Sequence, residues 1–179
     1  ALSTDQVAAF STSQIGQLSE DAVGVMTGAQ VAAIQTSDLV QMSTQQIQAM
    51  NTDGVSALTT EQVTNLSTNQ IAAFSTAQIQ AFSTDTMVAL SSDQLTQLDA
   101  AQVGALSATQ VRAIQTVDLA AMSTDQVQAL STAAIANLSA SQVSHLNSDQ
   151  VASLTTEQIK AMTPGQITDL TAAQIGRLT

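Results

Sequence analysis

Ser3-Thr4-Asp5-Gln6-Val7-Ala8-Ala9-Phe10 is followed at once by Ser11-Thr12-Ser13-Gln14-Ile15-Gly16-Gln17-Leu18, and the same phrase returns without insertion as far as Leu178, 22 times in all. A fixed short period marks a solenoid, whose units pack chiefly on their neighbours. With the positions named a to h from Ser3, columns e (Val7, Ile15, Val23 to Ile175) and h (Phe10, Leu18, Met26 to Leu178) are apolar in every octad. Their spacing alternates between three and five, which does not fit the two-residue alternation of a half-buried strand, whereas three apart lies on one face of a helix. Column a is Ser, Thr, Asn or Asp in 20 copies and column d is Gln in 16. Together they spell a capping box placed just ahead of an apolar residue, so each octad announces a helix start.

Three further details support helices. The single proline, Pro164, stands at column b, the first helical position, where a missing N–H costs nothing. Of the 14 acidic residues, 13 lie in columns a to d, while Arg112, Lys160, Arg177 and His145 lie in f or g, as a helix dipole sorts charge. The seven glycines keep to no column, whereas a β-solenoid, the alternative architecture, needs recurring turn residues. A single long helix is excluded, because eight residues overshoot two turns by about 80° and the apolar stripe would wind around the axis. The expected fold is therefore an all-α solenoid of 22 very short helices, each of two turns and about 9 Å long. Helices need roughly 12–15 residues to stand alone, so stacking of columns e and h must hold ones this short.

The six departures from Gln at d (Ala22, Asp38, Gly54, Thr86, Asp118 and Ala134) all fall in odd-numbered octads. That parity predicts a coil of two octads, with three octads per coil as the alternative. A longer echo is also present: Ala33-Ile34-Gln35-Thr36 with Asp38 returns ten octads later as Ala113-Ile114-Gln115-Thr116 with Asp118. In both places Gln at a accompanies Asp at d. This swap is read as preserving the capping exchange with roles rearranged, or as moving the cap to Thr36 and Thr116. Nothing divides the chain, so residues 1–179 read as one array, with Ala1-Leu2 as the tail of a preceding octad and Thr179 as the head of a following one. That frame makes the stretch a window of a longer array.

Composition narrows function. A net charge of −11 with only three Lys and Arg argues against a phosphate-binding surface, so neither nucleic acid nor an anionic membrane is an expected partner. No apolar run approaches a membrane span. The absence of cysteine removes disulfides and thiolate metal sites, and three Phe with no Trp or Tyr leave few anchors for a tight ligand. His145, the only histidine, sits at the solvent-leaning column g without a base or nucleophile at a defined spacing, and reads as a surface residue. The acids at column c (Asp5, Asp21, Asp53, Glu61, Asp85, Asp93, Asp125, Asp149 and Glu157) read as first-turn charges that favour helix starts, with weak divalent cation binding along the acidic face as the functional reading. No catalytic, metal or cofactor residue is assigned, and no cofactor is expected. Thr fills column b in 13 copies, which raises the alternative of a surface-binding module, for ice or glycan, built on Thr and Gln rows.

The phrases Leu-Ser-Thr-Asp-Gln-Val at 2–7, Leu-Thr-Thr-Glu-Gln-Val at 58–63 and Leu-Ser-Thr-Asn-Gln-Ile at 66–71 resemble the octapeptide arrays of large, acidic, cysteine-free bacterial secreted and cell-surface proteins of adhesin-like type. The resemblance covers the whole chain and brings no functional residue with it. It implies a stalk, spacer, matrix or filament outside the cell. The chain lacks the glycine-aspartate motif of calcium-dependent adhesin repeats. Apolar ends without a polar closing face make head-to-tail or lateral self-association the expected partnership.

Overall fold

Every octad forms one helix, bounded by the conformations of its columns a and h. In the computed structural model, which describes residues 2–178, column a is extended and caps the helix that follows, as at Ser75 (φ −69°, ψ 163°). In many octads column h is extended again, as at Phe82 (φ −60°, ψ 132°), and the helix ends at g. The helices are therefore 4 to 6 residues long, shorter than the expected two turns. No described residue has a positive φ or a cis peptide bond.

The chain divides into two units. In the first, Ala1–Leu90, the helices are α1 (Thr4–Ala8), α2 (Thr12–Gly16), α3 (Glu20–Gly24), α4 (Gly28–Ala33), α5 (Thr36–Leu39), α6 (Thr44–Ala49), α7 (Thr52–Ser56), α8 (Thr60–Asn65), α9 (Thr68–Ala72), α10 (Thr76–Ala81) and α11 (Thr84–Ala89). In the second, Ser91–Thr179, they are α12 (Ser92–Leu95), α13 (Ala100–Ala105), α14 (Ala108–Ala113), α15 (Thr116–Ala121), α16 (Thr124–Ala129), α17 (Thr132–Ala136), α18 (Ala140–His145), α19 (Ser148–Ser153), α20 (Thr156–Ala161), α21 (Pro164–Thr168) and α22 (Ala172–Ile175). All secondary structure among the described residues is helical.

The stacking corrects the expected coil. In the first unit α1, α4, α7 and α10 form one stack, α2, α5, α8 and α11 a second, and α3, α6 and α9 a third. The second unit repeats the arrangement, with α12, α15, α18 and α21, then α13, α16, α19 and α22, then α14, α17 and α20. Within a unit each helix thus packs on the third helix before and after it, and a coil holds three octads rather than two. The physical reason lies at the corners. Two octads per coil would need a full reversal at each junction, the kind of tight turn that usually calls on positive φ, and none occurs among the described residues. The extended residues at h and a turn the path by about a third of a circle, and three such corners close one coil.

Columns e and h meet inside each coil. Ile47, Val55, Val103, Val127 and Val151 at e are 0% exposed, and Leu66, Leu90, Leu106 and Leu130 at h are buried beside them. Burying one such side chain stabilises by roughly 1.5–3 kcal/mol, which two per octad supply at every corner. Successive h residues also touch across a corner, as Phe74 and Phe82 do edge to face with ring centroids 5.0 Å apart.

Candidate functional site

The most organised polar feature lies in column d. The sequence reading assigns these glutamines to capping, and every octad with Gln at d does form the box, as Ser75 and Gln78 do. The structure adds that the column is buried: Gln62, Gln78, Gln142 and Gln150 are 1–3% exposed. Gln78 Oε1 accepts from the Ser75 N–H at 2.7 Å, while its Nε2 donates to the carbonyls of Ile47 at 2.9 Å, Gln48 at 3.2 Å and Met50 at 2.7 Å. Gln150 does the same toward Leu119 at 3.0 Å, Ala120 at 3.3 Å and Met122 at 2.8 Å. The last carbonyls of a helix have no intrahelical donor. One side chain therefore caps the start of its own helix with its oxygen and the end of the helix four octads earlier with its nitrogen. The result is an amide seam from coil to coil.

A clue to this second role is present in the sequence. A capping box accepts Glu or Gln alike, yet Glu never occurs at d. Glutamate would satisfy the cap but bring a carboxylate against carbonyl oxygens.

Departures from Gln at d are compensated in several octads. Gly54 has no amide, and Asn51 at column a supplies one, donating Nδ2–H to the carbonyls of Gly24 and Met26 at 2.8 Å each while its Oδ1 caps Gly54 N–H at 2.8 Å. A side chain at position 54 is barred by close approach, since an added Cβ would lie 2.9 Å from Val31 Cγ2. The same two helices meet at Gly28, where a Cβ would lie 2.9 Å from Ala57 Cβ. In the octad of Ala134, Asn137 reaches Ala108 O at 3.0 Å. In the echo blocks the exchange differs from both expectations. Gln35 and Gln115 remain the N-caps without a side-chain cap bond, so the cap neither rearranges nor moves to Thr36 and Thr116. Gln35 Nε2 instead donates to Ala8 O at 2.9 Å across the coil. The Asp at d turns outward from its own cap: Asp38, 5% exposed, accepts from Thr12 Oγ1 at 2.6 Å, and Asp118, 6% exposed, accepts from Ser92 Oγ at 2.5 Å. These two hydroxyl–carboxylate pairs, one per unit, have no sequence signal beyond the swap itself.

The other candidate groups are dispersed. His145 is exposed, with Nδ1 2.7 Å from Ser141 O. Lys160 pairs with Glu157 at 3.0 Å and Arg177 with Asp149 at 2.8 Å, both on the surface. Arg112 Nη1 donates to Asn137 O at 3.0 Å. The column c acids are exposed, and no three described His, Asp or Glu side chains converge as a metal site would require. No helix among the described residues is long and apolar enough to cross a membrane. Because column d is buried, glutamine rows are not displayed to solvent, and the Gln half of the surface-binding alternative is withdrawn. A cleft of about 450 Å³ opens at the first coil, lined by Leu2, Val7, Phe10, Leu18, Val25 and Met26.

No curated protein matches the chain. A family model described as the ALTTAQ repeat matches residues 31–68, 68–100, 95–132, 111–148 and 119–156, a continuous span from 31 to 156. Those six letters fall on columns g, h, a, b, c and d, as in Ala57-Leu58-Thr59-Thr60-Glu61-Gln62.

Proposed function

The chain belongs to the ALTTAQ repeat family, and from that premise we propose that it is a non-enzymatic structural protein, a stiff solenoid serving as a spacer, stalk or filament element on or outside a bacterial cell. The observation that carries this reading is the use to which the polar side chains are put. Ser and Thr at a are engaged by helix N–H groups, Gln at d joins coil to coil, and no described buried side-chain polar atom lacks a partner. A chain so arranged converts sequence length into structure, one coil for every three octads. The resemblance to octapeptide surface arrays supports the extracellular setting. Electron micrographs of native material test the proposal: rods or continuous fibres are expected, and compact particles without an extended element would overturn it.

The surface-binding alternative keeps its threonines. Thr124, Thr132 and Thr156 at column b are exposed, and three octads per coil place neighbouring ones on separate faces. Thermal hysteresis and glycan-array screening test this reading, and a flat result in both sinks it.

A further inference from the structure

We propose that the first coil of one chain docks head to tail on the last coil of a second copy, through the same amide seam and apolar columns that join coils within a unit. Within each unit a Gln at d donates to carbonyls 31 and 28 residues earlier, as Gln158 does to Val127 at 3.0 Å and Leu130 at 2.7 Å. The first coil holds the donor half of that pattern. Gln6 and Gln14 are exposed, their Oε1 atoms accept from Ser3 N and Ser11 N at 2.8 Å each, and no described residue accepts from their Nε2 groups. Beside them lies the apolar cleft, with Val25 80% exposed at its rim. Gln30 shows how readily this face takes an earlier segment: its Nε2 donates to Leu2 O at 2.6 Å, in the same register as Gln158 to Leu130.

The last coil holds the acceptor half. Gln174 is the final Gln at d, and it reaches back to Val143 at 2.9 Å and Leu146 at 2.7 Å. The corresponding carbonyls of Val151, Leu154, Ile159 and Met162 therefore have no later glutamine at d in this chain. Ile167 and Ile175 at column e are 40% and 50% exposed. Continuing the octad frame from one copy into the next sets Gln6 against Val151 and Leu154, and Gln14 against Ile159 and Met162. Leu2 and Leu178 both stand at column h of the junction, so one of the two turns aside. The partner this surface fits is another array of the same octad, since the seam requires an amide at d and extended carbonyls at h in one register. The proposal goes beyond the structural role, for a spacer that remains monomeric is still a spacer.

The test exploits the absence of native cysteine. Column b of one octad faces column g three octads on, as Gly28 faces Ala57 and Ala108 faces Asn137. Across the proposed junction the same relation joins Thr156 of one copy to Ala9 of the next. A mixture of A9C and T156C chains should form the mixed disulfide readily under mild oxidation, whereas A9C with T124C, equally exposed but in an interior coil, should not. In sedimentation velocity the unsubstituted chain should grow with concentration. Val25→Lys should weaken that growth about tenfold, and Val117→Lys, at a 65% exposed site away from either end, should leave it unchanged. A chain that stays monomeric at millimolar concentration overturns the proposal, as does equal cross-linking by the two cysteine pairs.

Discussion

Column d is where one residue type does two jobs, and its chemistry is the sharpest point at which to perturb the protein. Gln78→Glu keeps an oxygen for the Ser75 N–H but removes the donor and places a carboxylate against the carbonyls of Ile47 and Met50. It should cost about 3 kcal/mol in urea unfolding, more than Gln78→Ala at about 1–2 kcal/mol, which leaves the carbonyls without the amide but adds no charge. Equal losses would mean the amide donor is unimportant. The buried aspartates invite a parallel test. Ser92→Ala strips Asp118 of its hydroxyl partner and should cost about 2 kcal/mol, while Thr124→Ala, in the same column but exposed, should stay within about 0.5 kcal/mol by the same urea measurement. The capping half of Gln at d is legible from Ser-x-x-Gln spacing. The donor half is not, because its acceptors lie 28 to 31 residues away, although the exclusion of Glu points toward it.

At the scale of the helix, local signals succeed where they bear on a single octad. Cap, first-turn acids, Pro164 at the first position and the apolar pair at e and h all describe one helix, and each helix forms where they place it. The expected length is too great because column h, read as the helix's last turn, is buried in an extended or turn conformation. The number of octads per coil escapes the sequence for a different reason. Every octad carries the same apolar e and h columns, so nothing apolar distinguishes one octad in two from one in three. The parity at d comes from substitutions with unrelated causes, among them close approach at Gly54 and the swap with Gln35 and Gln115 at a. The columns differ strongly in tolerance. Val127→Asp, at a 0% exposed site, should cost about 4 kcal/mol by placing an unpaired charge in the coil interior, and Ala133→Asp at exposed column c should change stability by less than about 0.5 kcal/mol. Thermal unfolding of the two variants decides this, and comparable losses would place column e outside the core.

At the scale of the molecule, stability belongs to coils rather than helices. A helix this short cannot persist alone, and within a unit each is held by the third helix on either side and by amides from the fourth octad onward. Opening one helix therefore exposes its neighbours, and the amides of Ile47, Val55 and Val63 should exchange with opening free energies within about 1 kcal/mol of one another. Widely separated values for adjacent octads would show helices opening singly. The central claim is the coil of three octads, and continuous-wave electron paramagnetic resonance of spin-labelled pairs tests it most directly. Labels at T124C and S148C, three octads apart on the packed helices α16 and α19, should show strong dipolar broadening at helix packing distances of about 8–10 Å. Labels at T124C and A140C, two octads apart, should show little. Broadening of the second pair in place of the first would contradict the three-octad coil.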